Sequence, residues 1–256
     1  MFVFIDIIMK KIAIFLIIFN ALCAYSLNIV FFPVNIYKSE ESEVIQRYTD
    51  EVKNLYPMSL YIRHLSFLTI PVSEEAIKPD SYDRVKYKVK DIEDIVESSQ
   101  SRPDVSIFIV NSEKNIGIGG NIGENKIKVV IISNFSKKGT LSHELGHALF
   151  ELGDEYGGEF TIKFSDAHIA KYLNLSKTKP VALWEEIKRA TKDEKIGYYP
   201  GGLGFKGEVY HSYPECLMNK LESRLCPVCL YLAIKKMNSI TVEDYDFKRI
   251  LNVVND

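Results

Sequence analysis

The chain has 256 residues, 46% of them hydrophobic and 26% charged, with a formal net charge of −2 at pH 7. That composition supports a buried core and one globular domain, and it excludes a disordered or fibrous protein. So small a net charge provides no field that would select nucleic acid or a lipid surface.

The first 26 residues are of a different material. Met9-Lys10-Lys11 is a positive start, Ile12 to Phe19 is an unbroken apolar run, and Ala24-Tyr25-Ser26 is a small-x-small cleavage site. A secretory signal peptide has this order, and Met9 starts it better than Met1 because Asp6 lies where a basic segment belongs. The apolar run is shorter than the roughly 20 residues a membrane span needs. An uncleaved single-helix anchor is one alternative. A lipoprotein anchored through Cys23 is another, and the bulk of Leu22 argues against it.

Asn28 to Val34 reads as a strand. Glu41 to Leu55 has Ile45, Tyr48, Val52 and Leu55 at helical spacing, and Asp83 to Ser98 repeats the pattern with Val85, Val89, Ile92 and Val96. Asp104 to Val110 and Ile127 to Ile132 are β-branched runs expected to be buried strands. Between them lies Gly117-Ile-Gly-Gly-Asn-Ile-Gly123. No helix follows it to hold a phosphate, so it is expected to be a flexible surface loop beside a cleft. A helix is predicted from about Leu141 to Leu152, with Leu145, Ala148, Leu149 and Leu152 as its apolar stripe and Gly153 as its left-handed end. Pro180 to Thr191 reads as a helix. An irregular Gly- and Tyr-rich stretch runs to His211, and Leu225 to Met237 and Thr241 to Val254 read as closing helices, with Pro227 in the first turn of the former.

The chemistry concentrates in His143-Glu144-Leu145-Gly146-His147. Histidines four apart on a helix project together and can chelate one ion. Both fall off the apolar stripe, where a core histidine would lie. Glu144 lies on the same side, able to act on a water without being a ligand; this is the HExxH arrangement of zinc hydrolases. A catalytic zinc takes three protein ligands. Asp154 is the leading third. On a continuous helix it would sit about 10 Å further along, so a turn at Gly153 is needed to bring it back. Glu155 is the rival, and Tyr156 would brace the site.

Secretion changes the reading of the cysteines. Cys216, Cys226 and Cys229 remain after signal removal, and one disulfide with one free thiol is expected. With His211 they could instead form a structural zinc site of three cysteines and one histidine.

At this point the sequence resembles a family, the IgA peptidase-like metallopeptidases of bacteria, relatives of the metzincin clan. Their active-site helix is followed by Asp-Glu-Tyr, as here in His143 to Tyr156. The resemblance runs from about Asp104 to Cys229. It takes in the two strands and glycine segment before the helix, Cys216-Leu217-Met218, and the pair Cys226 and Cys229. Tyr210 matches a tyrosine of the family, while His211 and Ser212 stand where Arg-Pro is usual. The resemblance implies a mixed α/β, metzincin-like fold: an N-terminal twisted sheet with helices over 27–152 and a smaller, irregular and helical subdomain over 153–256, after a signal peptide over 1–26. It implies one catalytic zinc on His143, His147 and Asp154, with Glu144 as base and then acid, Tyr210 or Tyr213 stabilising the oxyanion, and Met218 as the floor beneath the metal. It also implies that Cys226 or Cys229 bonds Cys216. The strand before the helix would be the sheet edge that aligns an extended peptide.

The function expected is that of a secreted or periplasmic zinc endopeptidase, monomeric, acting on protein or peptide, without nucleic acid and without stable membrane insertion after signal cleavage. The other readings are a binding protein on an inactive peptidase scaffold and a zinc hydrolase of small cell-wall peptides.

Overall fold

The structure, a computed structural model, describes residues 26–72, 77–79, 85–158, 164–241 and 243–247. The signal-peptide reading over 1–25 and most of the helix expected over Thr241–Val254 lie outside them. Among the described residues no helix is long and apolar enough to cross a membrane.

The fold is mixed α/β. In chain order come β1 (Leu27–Val34), α1 (Lys38–Asn54), a 3-10 turn (Met58–His64), β2 (Leu65–Thr69), β3 (Ile77–Pro79), β4 (Val85–Tyr87), α2 (Val89–Ser98), β5 (Val105–Val110), β6 (Gly117–Ile122) and β7 (Ile127–Ser133). They are followed by α3 (Thr140–Ala148), α4 (Asp166–Ile169), β8 (Leu175–Ser176), α5 (Ala182–Thr191), β9 (Tyr199–Gly202), β10 (Phe205–His211) and α6 (Pro227–Thr241). A five-stranded sheet runs in the order β2-β1-β5-β7-β6. Its first four strands are parallel and β6 is antiparallel to β7.

The interior strands β1, β5 and β7 are largely apolar because both faces of the sheet are covered there. Leu27, Ile29, Phe31, Ile107, Ile109, Val130 and Ile132 point to one side, where Tyr48 and Val52 of α1, Leu141 and Leu145 of α3, and Leu230 and Met237 of α6 pack on them. The alternate residues Val30, Phe32, Phe108, Val110, Val129 and Ile131 point to the other, under Ile92 and Val96 of α2. The first of these cores joins residues from both sides of Gly153 in one cluster.

Several expectations change. Val85 belongs to the β3–β4 hairpin, so the helix expected from Asp83 begins at Val89. The C-terminal half is not only loops and helices: its Gly- and Tyr-rich stretch supplies β9 and β10, which with β8 form an antiparallel sheet ordered β8-β10-β9. The glycine segment is no loop. It is β6, the outer strand, paired to β7 from Gly117↔Ile132 to Ile122↔Ile127. The strand before α3, β7, is therefore interior, and the sheet edge on that side is β6.

Candidate metal centre

Helix α3 starts at Gly139, whose φ is 88° and whose Cβ, if present, would lie 2.3 Å from the carbonyl oxygen of Leu221; only glycine fits. Its first turn is tied to α1, where Glu51 Oε1 accepts from both the backbone N–H and the hydroxyl of Ser142 at 3.0 Å. One turn apart, His143 and His147 project to the same side.

Each ring is aimed by its far nitrogen. His143 Nδ1 lies 2.9 Å from the Leu217 carbonyl and His147 Nδ1 lies 2.7 Å from the Leu152 carbonyl. A carbonyl only accepts, so Nδ1 carries the proton in the neutral rings and both Nε2 lone pairs face inward. The two Nε2 atoms are 3.1 Å apart.

Asp154 is brought to the same point. The helix ends earlier than expected, at Ala148, and the chain reverses through Glu151, which has φ of 58°. Gly153, expected to be the left-handed residue, has another duty: a Cβ there would come within 2.6 Å of Leu175 Cδ1. Asn174 holds both its N–H, at 2.9 Å, and its carbonyl, at 2.8 Å. Asp154 Oδ1 then lies 3.1 Å from His143 Nε2 and 3.2 Å from His147 Nε2. Ligands of a tetrahedral zinc at about 2.0–2.2 Å stand about 3.3–3.5 Å apart. The three atoms are already close to that spacing, and two imidazoles with one carboxylate are a donor set zinc accepts.

Electrostatics within the group are strongly coupled. Burial disfavours charge on His147, but the Asp154 hydrogen bond and charge outweigh it and push the imidazole up to about 9. His143 moves up for the same balance of reasons. Burial would raise Asp154, yet the two histidines hold it well below the usual carboxylate range. Glu144, 8% exposed, is raised by burial against the opposing pull of both histidines.

The glycines of β6 explain how the helix lies so close. A Cβ on Gly117 would be 2.5 Å from Glu144 Oε1, and one on Gly119 would be 2.3 Å from the Glu144 carbonyl oxygen. The edge strand thus packs directly on Glu144. Beneath the helix, Met218 Sδ would be 2.5 Å from a Cβ on Gly146, so the methionine lies between the two histidine turns.

A cleft of ≈ 1020 Å³ opens over this group, lined by Gly119, Gly120 and Asn121 of the edge strand and by His147, Asp154 and Tyr156. Tyr156 is within hydrogen-bonding reach of Asp154, and burial together with that charge raises its phenol. Tyr210 is on β10, with the Lys179 ammonium 3.9 Å over its ring. Tyr213 is placed beside Asp193.

Glu155 does not share the first site. It is fully buried on the other side of the chain, among Cys216, Cys226 and Cys229, and all four ligand atoms lie within 4.8 Å of one another. The cysteines are free, so the expected disulfide is not formed. His211, the cysteines' partner in the alternative zinc reading, has Nδ1 3.8 Å from Glu155 Oε2. The described residues therefore hold two buried candidate metal groups. Sequence reasoning missed Glu51, Asn174 and the Leu217 carbonyl, which carry no motif. It also missed the packing duty of Gly117 and Gly119, which their spacing of two did signal.

No protein-family model matches the chain, and no curated protein matches it. Among solved structures, a chaperone–substrate complex aligns over 87% of this chain and 36% of that one, at 9% identity and a TM-score of 0.41. The chain spans 36% of the length of that structure, too remote a likeness to bear on function.

Proposed function

We propose that this chain is a secreted zinc-dependent endopeptidase of metzincin-like fold, of the IgA peptidase-like kind its sequence resembles. The observation that carries this reading is the meeting of His143 Nε2, His147 Nε2 and Asp154 Oδ1 within 3.1–3.2 Å, with Glu144 beside them. Those three atoms would hold the metal. A zinc ion there would lower the pKa of a water molecule and polarise a peptide carbonyl. Glu144 takes the proton from the water and delivers it to the leaving amine. Its raised pKa brings it nearer neutrality, where one group can both accept and donate. The open side of β6 offers backbone N–H and C=O groups to an extended peptide, aligning it across the cleft by β-strand addition. Tyr156, rather than Tyr210 or Tyr213, faces the cleft beside Asp154 and would support the developing oxyanion. Two histidines and a carboxylate also suit iron oxygenases. The non-ligand carboxylate of Glu144 is what favours hydrolysis.

The test is Glu144→Gln in the purified chain, with zinc measured and a mixed peptide library digested. The variant keeps its fold and zinc and loses about 10²–10⁴-fold in cleavage rate, the usual share of a general base. Cleavage equal to the parent's, or a parent that takes up no zinc, overturns the reading.

A further inference from the structure

The second cluster has the marks of a site rather than of ordinary packing. Glu155 is 0% exposed, and its Oε1 accepts from Asn174 Nδ2 and from the Cys229 thiol, each at 3.0 Å. Its Oε2, as deeply buried, accepts no hydrogen bond and faces His211 Nδ1 at 3.8 Å, which also lacks a hydrogen-bond partner. A carboxylate oxygen left without a hydrogen bond in a dry core is costly unless something compensates it. Around it stand three thiols, none more than 3% exposed. A disulfide between any two would leave the third thiol beside the buried carboxylate and Oε2 still without a hydrogen bond.

A metal ion resolves the whole group. Sulfurs at about 2.3 Å on a tetrahedral zinc sit about 3.8 Å apart, so atoms already within 4.8 Å need contract by at most about 1 Å. Four ligands close the coordination sphere, as in structural rather than catalytic sites, and thiolates select a soft ion. The net charge equals that of a zinc site built from four cysteine thiolates. Polar groups already face the sulfurs. The Cys226 N–H donates to Cys216 Sγ at 3.3 Å, the Ser212 hydroxyl lies 3.7 Å from Cys226 Sγ, and Cys229 is in the first turn of α6.

We propose that Glu155, Cys216, Cys226 and Cys229 bind a structural zinc ion, separate from the histidine site, and that this ion braces the histidine site from behind. The bracing follows from the chain itself. Glu155 adjoins Asp154, and its N–H bonds the Met218 carbonyl at 2.8 Å. Cys216 is followed by Leu217, whose carbonyl aims His143, and by Met218 under Gly146. Fixing Glu155 to Cys216 therefore fixes the third ligand, one histidine and the floor together. The bracing role rests on the peptidase reading; the sulfur site does not.

The experiment uses the full chain and the His143→Ala/His147→Ala double variant, with zinc counted by elemental analysis and its neighbours read by X-ray absorption at the zinc edge. The parent holds two zinc ions. The double variant keeps one, with sulfur scatterers at about 2.3 Å. A double variant without zinc, or with zinc bound only by nitrogen and oxygen, overturns the proposal, as does a cysteine–cysteine bridge found by mass mapping under non-reducing conditions. If the peptidase reading alone fails, the parent itself shows one sulfur-bound zinc. Bracing is read in Glu155→Gln by competitive chelator titration. Zinc affinity at the histidines falls about 10–100-fold, as for loss of an outer support, with Cys226→Ser as a second variant expected to do the same. Unchanged affinity in whichever variant folds refutes the brace.

Discussion

Gly119→Ala tests the close packing of the edge strand on α3. The new methyl carbon would lie 2.3 Å from the Glu144 carbonyl oxygen, 2.8 Å from its carbon and 2.9 Å from its Cα. These are backbone atoms, so no rotamer change relieves the contact. Ordinary contact begins near 3.4 Å, so helix and edge strand must part by about 1 Å. Overpacking of this kind costs about 1–3 kcal/mol, which in a domain of this size lowers the melting temperature by several degrees. The functional loss is larger. Displacing a catalytic group relative to an aligned substrate by about 1 Å costs about 10²-fold in rate, and in the proposed mechanism the strand that would align the peptide moves against Glu144, the residue that would carry the proton. The assay is kcat/KM on a peptide identified from the library, with zinc content and melting temperature in parallel. Gly207→Ala is the control, since nothing lies within 4 Å of its Cβ position. A Gly119→Ala protein that melts and cleaves like the parent would refute the claim that edge strand and helix are in contact at this point.

Asp154→Ala removes the atom 3.1 and 3.2 Å from the two imidazoles; zinc affinity at the histidines and cleavage fall together, whereas Glu144→Gln loses cleavage alone, a contrast that isothermal titration reads directly. The metal-free protein has its own pH dependence. His147 rises from 6.5 to about 9 on folding, so its stabilisation is complete below pH 6.5 and is lost as pH climbs through 9, a loss on the order of 3 kcal/mol. Chelator-treated protein therefore melts lower at pH 9 than at pH 6.5, and a flat or rising melting temperature contradicts the Asp154–His147 coupling. Gly146→Ala drives a methyl group to 2.5 Å from Met218 Sδ; the flexible thioether yields, so the fold survives while calorimetry shows a loss of about 1–3 kcal/mol.

The interior strands β1, β5 and β7 were legible because a strand covered on both faces is written in uninterrupted apolar residues. The paired histidines were legible because a helix repeats every turn. β6 was not. Glycine is a poor strand former, and Gly117 to Ile122 is extended because β7 pairs with it, a cause that lies outside the segment. The same holds for β9 and β10, built from Tyr199-Pro200-Gly201-Gly202 and its neighbour. Asp154 and Glu155 read as rivals for one ion because they are adjacent. Adjacency in a non-helical segment is instead what separates them, since successive side chains point apart. The cysteines were visible as a group, but their fourth member lay 61 residues earlier, held beside them by contacts such as the backbone bond between Glu155 and Met218.

The composition of β6 has a consequence for turnover and for solubility. A bare sheet border made of valine and isoleucine would grip any extended chain, including another copy of itself, and let go slowly. Gly-Ile-Gly-Gly-Asn-Ile offers the same ladder of amides with little side-chain adhesion to reinforce it. On the proposed reading, such a border would hold a peptide mainly by its backbone, long enough to be positioned, and would release the two fragments once the ladder is cut in half. The residues that let the helix come close are thus also those that keep the border from becoming a permanent seam.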